Sequence, residues 1–217
     1  MDIVIIGAPV YAGRIPLVTI QRLEKITVKG IPAVVVVLYG NRDYEDALLE
    51  LINLSRSCGF HPVAAGAFIG EHSFATGTYP IEMGRPDQND LALAENFGAK
   101  VAQKLLFKDF SPAKNELPVP GNHPYKKRPP AHGQSPITQA DQADLCTLCG
   151  TCAGVVPTQI IEVTDTVTTD QSGCIACCAC IKNCPTQARI YTASAINEKA
   201  QWLHENFSER KSPEIFI

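Results

Sequence analysis

The sequence predicts an α/β protein in two parts, a parallel-sheet domain followed by a small cysteine-rich α+β domain. Residues 1 to 107 alternate strand-like and helix-like patterns, as a parallel sheet with right-handed crossovers requires. Eight of the nine cysteines then fall between residues 146 and 184. The stretch between the two parts, residues 108 to 140, is rich in proline and has little periodic apolar content, which is typical of a linker.

Three apolar runs in the first part are typical of buried parallel strands. They are DIVIIGAPVY from residue 2, IPAVVVVLYG from residue 31 and HPVAAGAFIG from residue 61. Each run is followed by apolar residues at helical spacing, first at 17, 20, 23 and 26, then at 44, 47, 48, 51 and 52, and last at 91, 94, 98, 101 and 105. Asp43 and Asp87 are the predicted N-caps of the second and third helices.

Composition narrows the class of protein. A net charge of −3 argues against a general nucleic-acid binder. No run of about 18 apolar residues is present, so no membrane span is predicted. The start of the chain lacks the basic region and cleavage site of a signal peptide. Nine cysteines without an export signal indicate metal or redox chemistry in the reducing cytoplasm, not disulfides.

An internal repeat organises the cysteine-rich part. CTLCGTCAGVVPTQII from residue 146 aligns with CIACCACIKNCPTQARI from residue 174, an offset of 28 positions. Duplicated units of this kind predict one pseudo-symmetric domain over residues 141 to 193. The tail, residues 194 to 217, is predicted to contain an amphipathic helix whose apolar side carries Ile196, Ala200, Leu203 and Phe207.

The cysteine spacing predicts two iron–sulfur clusters. The second run reads C-x2-C-x2-C-x3-C-P, in which three thiolates bind one cluster and the fourth binds the cluster of the other run. Zinc is the alternative metal, but its sites usually offer paired cysteines around one ion. The predicted ligands are Cys146, Cys149, Cys152 and Cys184 for the first cluster, and Cys174, Cys177 and Cys180 for the second.

Val156 stands where the fourth ligand of the second cluster would be. The first cluster is therefore expected to be a complete [4Fe-4S] centre, and the second to lack one protein thiolate. The second cluster could lose that iron and become [3Fe-4S], or keep it with water or a small thiol as the outer ligand. Two other outcomes are that Cys178 supplies the ligand or that this cluster fails to assemble. We favour the first two outcomes.

The chain resembles the EFR-type ferredoxins, in which a flavodoxin-like domain is fused to a bacterial two-cluster ferredoxin domain. The resemblance covers nearly the whole chain and rests on five stretches: GAPVYAGRIP at 7 to 16, LYGNRDYEDAL at 38 to 48, GAFIGEHSF at 66 to 74, LPVPGNHPYKKRPP at 117 to 130, and CIACCACIKNCPT from 174. It implies a flavodoxin-like parallel sheet in the first part and two cubane clusters in the second.

The resemblance also implies a flavin site. In flavodoxin-like proteins, two loops at the carboxyl ends of the strands clamp the ring of FMN. Here those loops are PVYAGRIP and YGNRDY, with Tyr11 as the stacking ring and the backbone near Gly40 and Asn41 facing the pyrimidine edge. The implied flavin contacts are Pro9, Val10, Tyr11, Ala12, Gly13, Tyr39, Gly40, Asn41 and Tyr44.

Relative to that family, the chain begins at what would be the third strand. The Ser/Thr-rich loop that holds the FMN phosphate at a helix N-terminus is missing, and so are two strands of the usual sheet. We therefore expect the sheet to be incomplete at its N-terminal side and FMN binding by this chain alone to be weak. The run DIVIIG would be an exposed edge strand, which favours pairing with a second copy of the chain.

The function predicted from these observations is electron transfer between redox partner proteins. No catalytic residues are predicted, because the five histidines are scattered and no triad or carboxylate pair stands out. One alternative is a redox or iron sensor that uses the incompletely ligated cluster. The other is an NAD(P)H-dependent flavin or quinone reductase, although GNRDYED does not match the dinucleotide fingerprint.

Overall fold

The chain forms two compact units, and each unit is built from segments that are not consecutive in the sequence. The first unit contains the described residues of Met1–His72, Glu82–Arg128 and Phe207–Ile217, and the second contains those of Ser73–Ile81 and Pro129–Asn206. The chain therefore leaves the first unit twice, after His72 and after Arg128, and returns to it at Glu82 and at Phe207. The domain boundaries predicted from the sequence do not include these crossings. The computed structural model describes residues 3–107, 117–128, 139–141, 143–191 and 194–217.

A four-stranded sheet forms the centre of the first unit, in the order β1-β2-β3-β8. The first three strands are parallel, as the sequence predicts, and β8 runs antiparallel to β3. Most of β2 is buried, as a valine-rich strand between two neighbours of a parallel sheet should be. The strands are β1 (Val4–Pro9), β2 (Ile31–Tyr39), β3 (Phe60–Ile69) and β8 (Glu214–Phe216).

Three helices pack in the first unit: α1 (Leu17–Leu23), α2 (Ala47–Ser57) and α3 (Gln88–Leu106). Asp87 caps α3 as predicted, because its carboxylate accepts the backbone N–H groups of Asn89 and Asp90. Asp43 does not cap α2, which was the prediction. The helix begins three residues later, and Asp43 accepts the N–H of Glu45 in the preceding turn.

An open apolar groove runs between α3 and the sheet. The predicted apolar positions of α3 line it, but Leu91 is 50% exposed and the buried side chains of the helix include Phe97 and Val101. The groove has a volume of about 520 Å³. Ile5 of β1, which is 72% exposed, also lines it. In the described part of the chain no strand pairs with the outer edge of β1. The prediction that this strand is a sheet edge is confirmed.

Residues 117–128, predicted to be linker, pack against α2. Leu117 is buried in the core of the first unit. Asp46 accepts the backbone N–H of Asn122 at 2.8 Å and that of Lys126 at 2.6 Å. This stretch is therefore part of the first unit. Residues 108–116 and 129–138 of the predicted linker lie outside the described residues.

The described residues of the second unit form two small antiparallel sheets, three α-helices and two short 3-10 helices. Strand β4 pairs with β7, and β5 pairs with β6. Helix α6 buries Ile196, Ala200 and Leu203, as predicted, whereas Phe207 belongs to the first unit. The elements are β4 (Gln139–Asp141), α4 (Thr151–Val155), β5 (Ile161–Val163), β6 (Val167–Thr169), α5 (Ala179–Lys182), β7 (Arg189–Tyr191) and α6 (Ser194–Asn206).

The repeat in the sequence is also a repeat in the backbone. Helix α5 and strand β7 begin 28 residues after α4 and β5, which is the offset of the sequence repeat. Residues with left-handed backbone recur at the same offset, in the pairs Leu148 and Ala176, Gly150 and Cys178, and Gln159 and Gln187. The two halves of the unit therefore share one local fold.

None of the helices in the described ranges has the length and apolar character needed to cross a membrane.

Candidate metal centre

Four thiols from the two cysteine runs line one cavity in the second unit. Cys146, Cys149 and Cys152 come from the first run, where the chain enters α4. Cys184 comes from the second run, after α5, and lines the same cavity. These are the four ligands predicted for the first cluster, and they include the ligand that crosses from the other half of the repeat.

The second set of thiols is more buried. Cys174 and Cys180 are buried, and Cys177 is half-buried. Cys180 packs in an apolar cluster with Val156, which is 6% exposed at the end of α4. Val156 is equivalent in the repeat to Cys184, so the position that supplies the crossing ligand in one half carries an apolar side chain in the other.

The four thiols are soft donors, which iron–sulfur clusters and zinc both use as ligands. All nine cysteines are thiols and not disulfides. Among the residues that the structure describes, no group of three or more His, Cys, Asp or Glu side chains is placed to hold one metal ion. A cubane binds each thiolate at a different iron, so its ligands surround a group larger than a single ion. The cavity lined by the four thiols has a volume of about 20 Å³, so the thiols would have to move apart to hold a cubane.

Two thiols of each set differ in acidity, Cys149 and Cys184 from Cys177 and Cys180. Hydrogen bonding to Thr151, whose Oγ1 lies 3.3 Å from the sulfur, lowers the pKa of Cys149. Burial opposes ionisation of Cys184. Hydrogen bonds from backbone N–H groups, the largest from Arg189, outweigh burial and lower the pKa of Cys184. Burial raises the pKa of Cys177 and Cys180. Cys149 and Cys184 are thus better prepared to bind metal as thiolates.

Cys178 already makes other contacts that oppose its binding to a cluster. It is fully buried at a left-handed position, and its thiol donates to the carbonyl oxygen of Ala176 at 3.2 Å. The side chains of Tyr191 and Ser73 also contact it, and burial raises its pKa to about 12. For Cys178 to bind a cluster, it would have to break these contacts and lose its proton.

The loops predicted to bind a flavin do come together, at the carboxyl ends of β1 and β2. The backbone N–H of Asp46 donates to the carbonyl oxygen of Gly13 at 3.1 Å. Gly13 has a φ of +81°, and a side chain there would overlap Glu45. Of the loop after β1, Val10 and Tyr11 are half-buried, whereas Pro9 and Ala12 are exposed.

Several predicted flavin contacts are already used by the protein itself. Asn41 donates to the carbonyl oxygens of Phe207 and Glu209, both at 2.8 Å. The Tyr44 hydroxyl donates to Glu214 at 2.8 Å. Tyr39 is buried with its ring edge against Tyr44, and a side chain at Gly40 would overlap the ring of His72. A flavin would have to compete with these contacts, and FMN binding stays a prediction.

Sequence reasoning missed one residue of the cysteine site. Arg189 lines the cavity of the first thiol set and is 3% exposed. The signal was present in the repeat, because Arg189 is equivalent to Ile161, an apolar residue of the other half.

The fold and the site together define a two-unit α/β protein in which two cysteine runs cross to form one shared cavity. Comparisons with protein-family models, with curated proteins and with solved structures find no match for the chain.

Proposed function

We propose that this chain is a ferredoxin-type iron–sulfur protein that transfers electrons between redox partner proteins in the cytoplasm. The observation that carries the proposal is the single cavity shared by Cys146, Cys149, Cys152 and Cys184. When bound, a [4Fe-4S] cluster accepts and donates one electron at a time. The resemblance to EFR-type ferredoxins supports the same function, and nine reduced thiols suit a reducing compartment.

The surroundings of the first thiol set suit contact with a partner protein. Cys149 is exposed, and its neighbours Leu145 and Leu148 are 45% and 43% exposed. Exposed apolar side chains beside a redox centre give a partner a small surface to bind. We place the exchange of electrons with partners at the first cluster, because the thiols of the second set are more buried.

For the second set we propose a [3Fe-4S] cluster. Three thiolates from Cys174, Cys177 and Cys180 can hold three irons, and Val156 offers no donor to a fourth. The side chain of Val156 packs with Ile161 in an apolar cluster. This packing supports the three-iron form, because an outer water ligand would lie in surroundings that cannot hydrogen-bond it.

The test is the content of iron and acid-labile sulfide per chain in protein purified without oxygen. About seven irons would support the proposal in full, and about eight would mean that the second set keeps a fourth iron. About four would leave one cluster, and zinc in place of iron would overturn the proposal. Cys184→Ser should remove mainly the first cluster, whereas Cys178→Ala is the matched control from the same run and should keep the iron content.

Val156 also favours a second candidate function, a sensor of oxygen or iron. An iron that lacks a protein thiolate is lost and regained more easily than one that has four. If this is the function, conversion of the second cluster should change the amide hydrogen exchange of the second unit. Identical exchange in both cluster forms would leave electron transfer as the better proposal.

A flavin in the first unit would let the protein accept electrons in pairs and pass them on one at a time, or the reverse. The proposal does not depend on it. Titration of the protein with FMN, followed by flavin fluorescence, tests it separately, and replacement of Tyr11 by alanine should weaken any binding through the loop after β1.

A further inference from the structure

Arg189 is a buried cation in the middle of the cysteine site. It lies on β7, is 3% exposed, and donates from Nη2 to the hydroxyl oxygen of Thr169 at 3.0 Å. Its side chain lines the cavity of the first thiol set. A buried guanidinium keeps its charge, because the pKa of arginine lies far above neutral.

The same residue also contacts the second thiol set. The Arg189 side chain is hydrogen-bonded to the thiol of Cys180. The backbone N–H of Arg189 binds the thiol of Cys184, which belongs to the first set. Arg189 therefore contacts one proposed ligand of each cluster.

The fold does not require an arginine here. The equivalent position in the other half of the repeat is Ile161, which is buried in an apolar cluster with Val156 and Cys180. Since isoleucine fills this position in one half, shape alone does not explain a charge in the other. Burying a charge is unfavourable unless opposite charge is near, and thiolates bound to clusters would supply it.

We propose that Arg189 is a positioning residue shared by both clusters, whose charge holds their reduction potentials at more positive values. The inference rests on the proposed function. Each reduction adds one negative charge to a cluster, and a fixed positive charge nearby stabilises the reduced form more than the oxidised form. Because the site is buried, water screens this interaction less than it would at the surface.

The experiment is a redox titration of the clusters, followed by electron paramagnetic resonance, in wild-type protein and four variants. Arg189→Gln and Arg189→Ile remove the charge, and the second copies the residue found in the other half. Arg189→Lys keeps the charge. Lys182→Gln removes an exposed charge two residues from Cys180 and from Cys184 and serves as the control.

Both potentials should fall in the glutamine and isoleucine variants and stay near the wild-type values in the lysine variant and the control. Unchanged potentials in Arg189→Ile with both clusters bound would overturn the inference. Loss of iron from only the two neutral variants would overturn the inference as stated, because the charge would then retain the clusters instead of setting their potentials. Loss of iron from all three Arg189 variants would reduce Arg189 to a packing role and would also overturn it. Absence of clusters from the wild type would defeat the proposed function itself.

Discussion

Gly150 and Cys178 occupy the same left-handed backbone position in the two halves of the cysteine-rich unit, with φ values of +76° and +63°. Each directly precedes the short helix of its half. A residue with a side chain is strained there by about 1 kcal/mol relative to glycine. Cys178 is therefore best understood as the residue that replaces a helix-entry glycine, not as a spare ligand.

This equivalence predicts the behaviour of two variants of Cys178. Both Cys178→Gly and Cys178→Ala lose the thiol, but only glycine adopts the left-handed backbone without strain. We expect the glycine variant to be the more stable by about 1 kcal/mol in urea unfolding, with iron content unchanged in both. A fall of iron content in both variants would identify Cys178 as a ligand.

Replacing Val156 with cysteine should complete the second cluster. The new thiol would stand at the position equivalent to Cys184, next to the second thiol set, so we expect iron to rise to about eight per chain. The resonance signal of a three-iron cluster should disappear at the same time. Val156→Ala provides no donor and should leave the iron content as it is. If Val156→Cys gains no iron, the crossing arrangement is wrong for the second set.

Acid should weaken the first unit through Asp90. Hydrogen bonds from Arg85, at 2.5 and 2.8 Å, hold the pKa of Asp90 at about 2, below its usual value near 4. The stabilisation is present above pH 4 and is lost as the pH falls towards 2, by ~2 kcal/mol. Asp90→Asn should lower stability at neutral pH and flatten this loss. Glu95→Gln, on the exposed side of α3, should keep the wild-type pH dependence of urea unfolding.

The open edge of β1 should mediate self-association. Ile5 is 72% exposed beside the apolar groove, so Ile5→Lys places a charge where a second copy would pair. We expect the dissociation constant of the dimer to rise at least about tenfold, since burial of one isoleucine contributes about 1.5 kcal/mol or more. Sedimentation equilibrium measures it. Leu106→Lys, which is 81% exposed outside the groove, is the control, and an equal effect there would argue against the edge.

The sequence could predict that Cys146, Cys149, Cys152 and Cys184 lie close together, because most of this arrangement is local. Spacings of three residues place Cys146, Cys149 and Cys152 around one loop and helix start, and the repeat offset then locates Cys184. The parallel strands were predictable for a similar reason, since long valine-rich runs have few other stable environments.

Contacts between distant segments could not be predicted. Strand β8 is only three residues long, and its pairing with β3 has no signal in its own sequence. The buried ion pair of Arg14 with Glu50 at 2.6 Å, joined by Arg128 at 2.5 Å, links three segments far apart in the chain. This ion-pair cluster holds part of a stretch that was predicted to be a linker from its prolines. Proline content indicates the local stiffness of a segment and does not indicate what the segment packs against.

The pairing of β8 with β3 also determines the order in which the two units can be completed during synthesis. A ribosome makes residues 129 to 206 of the second unit before it makes β8. The first unit therefore cannot close its sheet while the cysteine runs are emerging, although domains usually finish folding in the order in which they are made. Its last strand pairs only after every cysteine of the two runs has been synthesised.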